Sequence, residues 1–304
     1  MSEVRQRWRI VFGRGDEARY LSHLDAVRAW ERAFRRGEIP IATSEGFSPR
    51  SRLVFAAPLQ LGMLAEHELA DLFLAERLTA LDLRRRLVYS MPRGYRVVDL
   101  YDVWTGAPAL APQLAAADYR MTLLNVERPE LAAAVARLLA AEELPRERRK
   151  ETRLIRYDLR PLLLGLRAGP ADADAPSAAA PADADAPSAA APADTAAPVA
   201  GGLPGNAAGL WMRLRHSQSR GSGRPDEVVA SLAAELGMRA MPLSGAGDDG
   251  DAETGVERMS SDWGAAGEEA PEDLPAATST LAPRLDTVRP VRERLWLDDE
   301  LSSI

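Results

Sequence analysis

The sequence predicts an α+β fold of two similar units in tandem, and three observations carry that prediction. Alternating strand patterns and amphipathic helix patterns run strand–helix–strand, then strand–helix–strand, over the first 110 residues. A comparable series restarts near residue 119. Two low-complexity stretches then fall inside the second series and do not separate two domains.

The elements follow in order. Residues 6–13 alternate as a half-buried strand does. Residues 21–37 form an amphipathic helix, with Ser22 as N-cap, Leu24, Val27, Ala33 and Phe34 near one face, and Gly37 closing it. Short strands at 40–43 and 52–57 flank the loop 44–50. A strand at 68–74, a helix at 78–87 and a strand at 95–101 complete the first unit. The second has a strand at 119–126, a helix at 129–142, strands at 152–159 and 210–216, a helix at 225–236 and a strand at 287–297. This is the split β-α-β arrangement, so both units are expected to be ferredoxin-like, the first with an inserted hairpin.

The predicted boundaries are 1–110 for the first unit and 111–169, 208–242 and 284–298 for the second. Residues 170–191 are two copies of Pro-Ala-Asp-Ala-Asp-Ala-Pro-Ser-Ala-Ala-Ala. With two prolines per copy and no large apolar residue, the repeat has nothing to bury and no continuous helix. Residues 170–207 are therefore read as a disordered Ala/Pro/Asp insertion, and 243–283 as a disordered acidic one.

Composition narrows the chemistry. The chain has 304 residues and no cysteine, which excludes disulfides, thiolate metal sites, cysteine nucleophiles and Cys-ligated iron–sulfur clusters. Only His23, His67 and His216 are available as imidazole ligands, so no metal and no cofactor is expected. No apolar run approaches the roughly 20 residues of a membrane span, and the charged start does not read as a signal peptide. The expectation is a cytoplasmic protein. The net charge of −7 hides an asymmetry: residues 1–168 carry 28 basic against 22 acidic residues, and the remainder 10 against 23.

Several motifs are candidates for binding. Tyr20, Ser22, His23 and Asp25 crowd a strand-to-helix junction, where free backbone N–H groups favour anions. The functional reading is a phosphate or RNA-backbone contact by Tyr20, Ser22, His23 and Arg28. The structural reading makes Ser22 a cap, places Leu21 and Leu24 in the core and has Asp25 offset the helix dipole. Arg28, Arg32 and Arg35 recur at helical spacing along one side, with Glu31 placed to pair with Arg35. An Arg stripe suits phosphate, and equally suits a solvated face. Phe47 is either a buried plug or a base-stacking platform beside Arg50 and Arg52. Glu68 and Asp71, three apart on a strand, face opposite sides and are not an acid/base dyad. Ser222 and Arg224 lie in a Gly-rich turn that opens a helix, a further anion contact without the residues of a nucleotide-binding loop.

The blocks Tyr20-Leu-Ser-His-Leu-Asp25, Arg32-Ala-Phe-Arg-Arg36, Ser44-Glu-Gly-Phe-Ser-Pro-Arg50, Pro58-Leu-Gln-Leu-Gly62, and Glu68 with Asp71 together resemble the radical SAM-linked protein family. Tyr157-Asp-Leu-Arg-Pro161 and Gly223-Arg-Pro-Asp-Glu227 extend the resemblance. That family occurs fused to, or encoded near, cobalamin-type radical SAM proteins. The resemblance implies a separately encoded radical SAM enzyme as partner, because this chain lacks the three cysteines such chemistry needs. The leading expectation is a non-catalytic, RNA-interacting accessory protein that presents RNA to a modification enzyme. The alternatives are a metal-independent endoribonuclease using Tyr20 and His23, and a docking subunit that contacts no RNA.

Overall fold

The computed structural model describes residues 3–44, 49–150, 153–171, 206–241, 243 and 283–301. Both predicted low-complexity insertions fall almost wholly outside these residues. Up to Val103 the strands are β1 (Gln6–Arg14), β2 (Leu53–Phe55), β3 (Leu64–Leu74) and β4 (Tyr95–Val103), and the helices α1 (His23–Arg36) and α2 (Ala80–Ser90). β1 pairs antiparallel with both β3 and β4, and β2 pairs antiparallel with β3. The strand order is thus β4-β1-β3-β2. Trp8, Ile10 and Phe12 alternate onto one face of β1, where they meet Ala70, Leu72 and Leu74 of β3 and Trp30, Phe34, Leu83 and Leu87 of the helices. Trp30 is the hub, edge-on to Phe12, Phe34, Phe55 and Tyr95.

The α1 stripe differs from the expected one. Its buried residues are Ala26, Trp30, Ala33 and Phe34, whereas Leu24 is 53% exposed. Leu24 precedes Ala26 by two residues, about 200° of helical rotation, so it points away from the core. Gly37 does end the helix, but at φ −84; the left-handed residue is Glu38, at φ 51.

The chain from Leu114 onward comprises β5 (Leu114–Leu124), α3 (Arg128–Ala140), β6 (Pro145–Lys150), β7 (Arg153–Asp158), β8 (Leu163–Gly169), β9 (Ala207–Ser217), β10 (Gly221–Ser222), α4 (Pro225–Glu235), β11 (Arg239–Ala240), β12 (Arg284–Leu297) and α5 (Asp298–Leu301). Its main strands lie in the order β12-β5-β9-β8, every neighbour antiparallel. The strand expected at 152–159 is not in this sheet. It pairs with β6 as a separate two-stranded ribbon, and the sheet position is taken by β8. Leu163-Leu-Gly-Leu-Arg-Ala-Gly169 lacks clean alternation, which hid it. β8 and β9 are adjacent, with Gly169 opposite Gly209, so the chain outside the described residues begins and ends beside itself. The second excursion does the same, since Arg239 N–H donates to Pro283 O at 2.8 Å.

One pairing fuses the two halves. β12 runs parallel to β3 through Val291–Leu64, Arg292–Ala65 and Arg294–His67, while β2 uses the same edge of β3 further along, at Ala70–Leu72. The result is a ten-stranded mixed sheet among the described residues, with few helices. None of those helices is long and apolar enough to cross a membrane.

Candidate functional site

The Tyr20–Asp25 junction is built by a short 3-10 turn, Asp16–Ala18, that delivers the chain to α1. Ser22 is the N-cap: its Oγ accepts from Asp25 N–H at 3.1 Å and donates to Asp25 Oδ2 at 2.7 Å. Asp25 also lies 3.7 Å from Arg28. The Ser22 hydroxyl and Asp25 carboxylate are therefore committed to the helix start. Tyr20 is not, being 71% exposed. The Arg19 guanidinium stacks 5.0 Å from its ring centroid and is itself held by Gly62 O at 3.0 and 3.2 Å. Gly62, at φ 76, lies close enough that a Cβ there would sit 3.6 Å from Tyr20 Cε1. The junction thus presents an accessible phenol backed by a fixed cation. Arg19 escaped the sequence reading because nothing in its spacing sets it apart from other arginines.

His23 is exposed and edge-on to Phe55, with ring centroids 5.6 Å apart. Partial burial lowers its pKa below the ordinary histidine value, which favours the neutral ring. Arg28, Arg32 and Arg35 are all exposed on α1. Among the described residues the anticipated Glu31–Arg35 pair is not formed, and Arg28 is paired only with Asp25. Arg36 donates to Ser90 O at 2.5 Å and ties the two helices together.

The remaining candidates lie elsewhere. Arg50 is exposed at the loop base, where Ser44 N–H donates to Arg50 O at 2.8 Å. Phe47 is outside the described residues. Arg52 sits 4.6 Å from the Phe73 ring centroid. Phe73 alternates away from Leu72 and Leu74, which pack on α1 and α2, so Arg52 lies on the other face of β3 and is not gathered with the α1 stripe. Ser222, exposed, pairs with His216 across β10–β9, and the Arg224 Nε lies 3.5 Å from Asp226 Oδ1. Asp226 and Glu227 in the first turn of α4 already meet its positive end, in competition with any bound anion.

A buried polar seam where β12 meets β3 was not anticipated. Arg292 Nε donates to Glu68 Oε1 at 2.6 Å, its Nη2 donates to Glu68 Oε2, and Nη1 donates to Pro58 O at 3.3 Å. Burial opposes the charge on Arg292, but Glu68 and the neighbouring Tyr119 outweigh it and raise its pKa. Burial pushes the Tyr119 phenol up, against the pull of Arg292. His216 is pushed down to about 4 by burial and by the charge of Arg292. Arg14 braces the same loop through Gln60 O and Met63 O, at 2.5 and 2.7 Å. On the opposite face Asp71 accepts from Arg7 at 2.5 and 3.0 Å and from Arg9 at 2.8 and 3.2 Å. Glu68 and Asp71 are thus two separate ion-pair anchors, and carboxylates so locked are poorly suited to proton transfer.

Among the described residues no group of three His, Asp or Glu side chains is placed to hold a metal. No curated protein matches the chain. Residues 7–183, more than half of the chain, match the family described as an uncharacterized protein conserved in bacteria (DUF2344), and the chain belongs to that family.

Proposed function

We propose that the chain is a non-catalytic RNA-interacting accessory protein of two ferredoxin-like units, which presents RNA to a separately encoded radical SAM-type modification enzyme. The observation that carries the RNA reading is the exposed Arg28–Arg32–Arg35 stripe of α1, headed by Tyr20 with Arg19 stacked behind it. An open aromatic ring and adjacent guanidinium groups suit a stacked base and its phosphates. The unit assignment is supported by the shared antiparallel strand order of the two halves. The enzyme partner rests on the sequence resemblance and on the absence of cysteine. A gel shift with folded protein and single-stranded RNA at low and moderate salt tests the reading. Retention that weakens with salt supports it, with a log–log slope lower by about 2 to 3 in an Arg28→Gln, Arg32→Gln, Arg35→Gln variant. The absence of salt-sensitive retention overturns it.

A second reading, metal-independent RNA cleavage, is favoured by the accessibility of Tyr20 and His23 and by the depressed His23 pKa, which suits a general base. RNA cut in the presence of EDTA by the wild type, but not by His23→Gln, would select it. Intact RNA excludes it.

A further inference from the structure

One face of β9 carries aromatic and cationic surface that the fold does not use up. Leu210, Met212 and Leu214 point into the core, so Trp211, Arg213 and Arg215 alternate onto the opposite face. Arg167 on β8 stands directly across from Trp211, its guanidinium 4.8 Å from the indole centroid. Gly165 makes room for that indole, since a Cβ there would lie 3.1 Å from Trp211 Cζ3. Among the described residues β8 pairs with β9 alone, so this stack stands at an edge of the sheet. Arg213 is already engaged: it donates to both oxygens of Asp118, at 2.7 and 2.9 Å, and Asp118 also accepts from the buried Trp296. Arg167, Arg215 and Arg220 differ, having no carboxylate partner among the described residues. Arg167 and Arg220 are exposed, and Arg215, partly exposed, touches only Pro161 O, at 3.4 Å. Pro170 crosses β9 at Gly209, where a Cβ would meet its carbonyl, and closes the surface at that end. From Trp211 the face runs about 20 Å along the strand towards the turn that holds Arg220, a span for a row of phosphates and not for one.

We infer that this face of β8 and β9 is a second RNA-contacting surface, separate from the α1 stripe, and that it takes single strands. A base stacks on Arg167 over Trp211, and the phosphates that follow meet Arg215 and Arg220. The inference rests on the RNA-binding reading above. Two features name the occupant. Guanidinium groups without carboxylate partners match phosphate oxygens. A guanidinium backed by an indole matches a planar base, a group that an acidic peptide does not supply. Single strands are favoured over duplex because paired bases stay stacked on one another and leave such a platform unused. The pairing mirrors the head of α1, where Arg19 stacks on Tyr20. There the ring is the open partner; here the ring is half-buried and the guanidinium is open.

Fluorescence anisotropy of the full chain with a labelled, unstructured single-stranded RNA, and with the same strand in a duplex, tests this across a salt series. Arg167→Lys keeps the charge but not the planar fork. It is expected to weaken single-strand binding about tenfold and to leave the salt slope unchanged. A variant with Arg215→Gln and Arg220→Gln is expected to lower that slope by about 1 to 1.5. Wild-type affinity in Arg167→Lys overturns the stacking assignment, and an unchanged slope in the Gln variant overturns the phosphate track. Either result leaves the α1 reading intact, because that reading is scored on the α1 arginines alone. Duplex bound as tightly as the single strand overturns the preference for unpaired RNA. Tighter retention of a labelled polyglutamate peptide than of RNA assigns the face to an acidic protein and overturns the proposal. A wild-type chain with no salt-sensitive binding to RNA overturns this inference and the function it rests on together.

Discussion

Arg292 and Glu68, 224 residues apart in sequence, form a buried two-pronged ion pair that fastens β12 to β3. Both side chains are almost wholly enclosed, so neither charge has water to fall back on if its partner is removed. Glu68→Ala is expected to destabilise the chain by about 3–5 kcal/mol in urea unfolding. Replacing both partners, with Glu68→Leu and Arg292→Met, should recover much of that loss, because the double change leaves no unpaired charge. A double variant as unstable as the single one would show that the backbone contacts to Ala57 and Pro58, and not the ion pair, hold the seam.

At the head of α1 two neighbouring residues should separate cleanly. Ser22 is spent on the cap, so Ser22→Ala is expected to lower stability by about 1 kcal/mol and to leave RNA affinity within about twofold. Tyr20 is open, so Tyr20→Ala should shift stability by less than about 0.5 kcal/mol yet weaken RNA binding by about 1–3 kcal/mol. Urea midpoints and anisotropy titrations on the two variants check both. A Tyr20→Ala chain that binds RNA normally removes this ring from the interface.

The contrast between these residues marks how far the sequence could be read. The Ser22 cap was legible because capping is a local matter of residue type and spacing. The order of strands and helices was legible for the same reason, through periodicity. β8 was not, because Leu163 to Gly169 is apolar without alternation, and the neighbouring basic stretch alternated better than the strand that entered the sheet. β5 begins at Leu114, five residues before its pattern becomes visible, because three alanines carry no strand signal. Glu68 and Asp71 could be assigned to opposite faces but not to their partners: Arg292 is supplied by tertiary pairing more than two hundred residues away. Arg19 and Tyr20 meet by stacking, which leaves no mark on spacing at all.

Gly94 is a position where only glycine serves. Its φ is 78, and a Cβ would lie 2.6 Å from the Ala18 backbone nitrogen and 2.8 Å from Ala18 Cβ. Left-handed backbone and a collision with main chain act together, with no flexible side chain to yield. Gly94→Ala is expected to lose about 3 kcal/mol or more, read as a lower urea midpoint with an unchanged slope. A loss under about 1 kcal/mol would mean that the turn between Ala18 and Gly94 relaxes freely.

His216 gives the seam a pH dependence whose sign follows from its burial. Its pKa is about 4 in the folded chain against 6.5 for the free side chain. Between those values the unfolded chain binds a proton that the folded chain does not, so stability falls as pH falls. The contribution is fully present above about pH 6.5 and is lost progressively as the pH drops towards 4. The total is on the order of 3 kcal/mol. His23, also shifted down, acts in the same direction, so the two must be separated by substitution. His216→Gln removes the titrating group while keeping a polar side chain beside Arg292. The difference in unfolding free energy between wild type and His216→Gln, followed from pH 7 to pH 4.5, should therefore move by about 2 kcal/mol or more against the wild type. A constant difference across that range would mean that the imidazole is protonated in the folded chain, with water or Glu68 offsetting its charge beside Arg292.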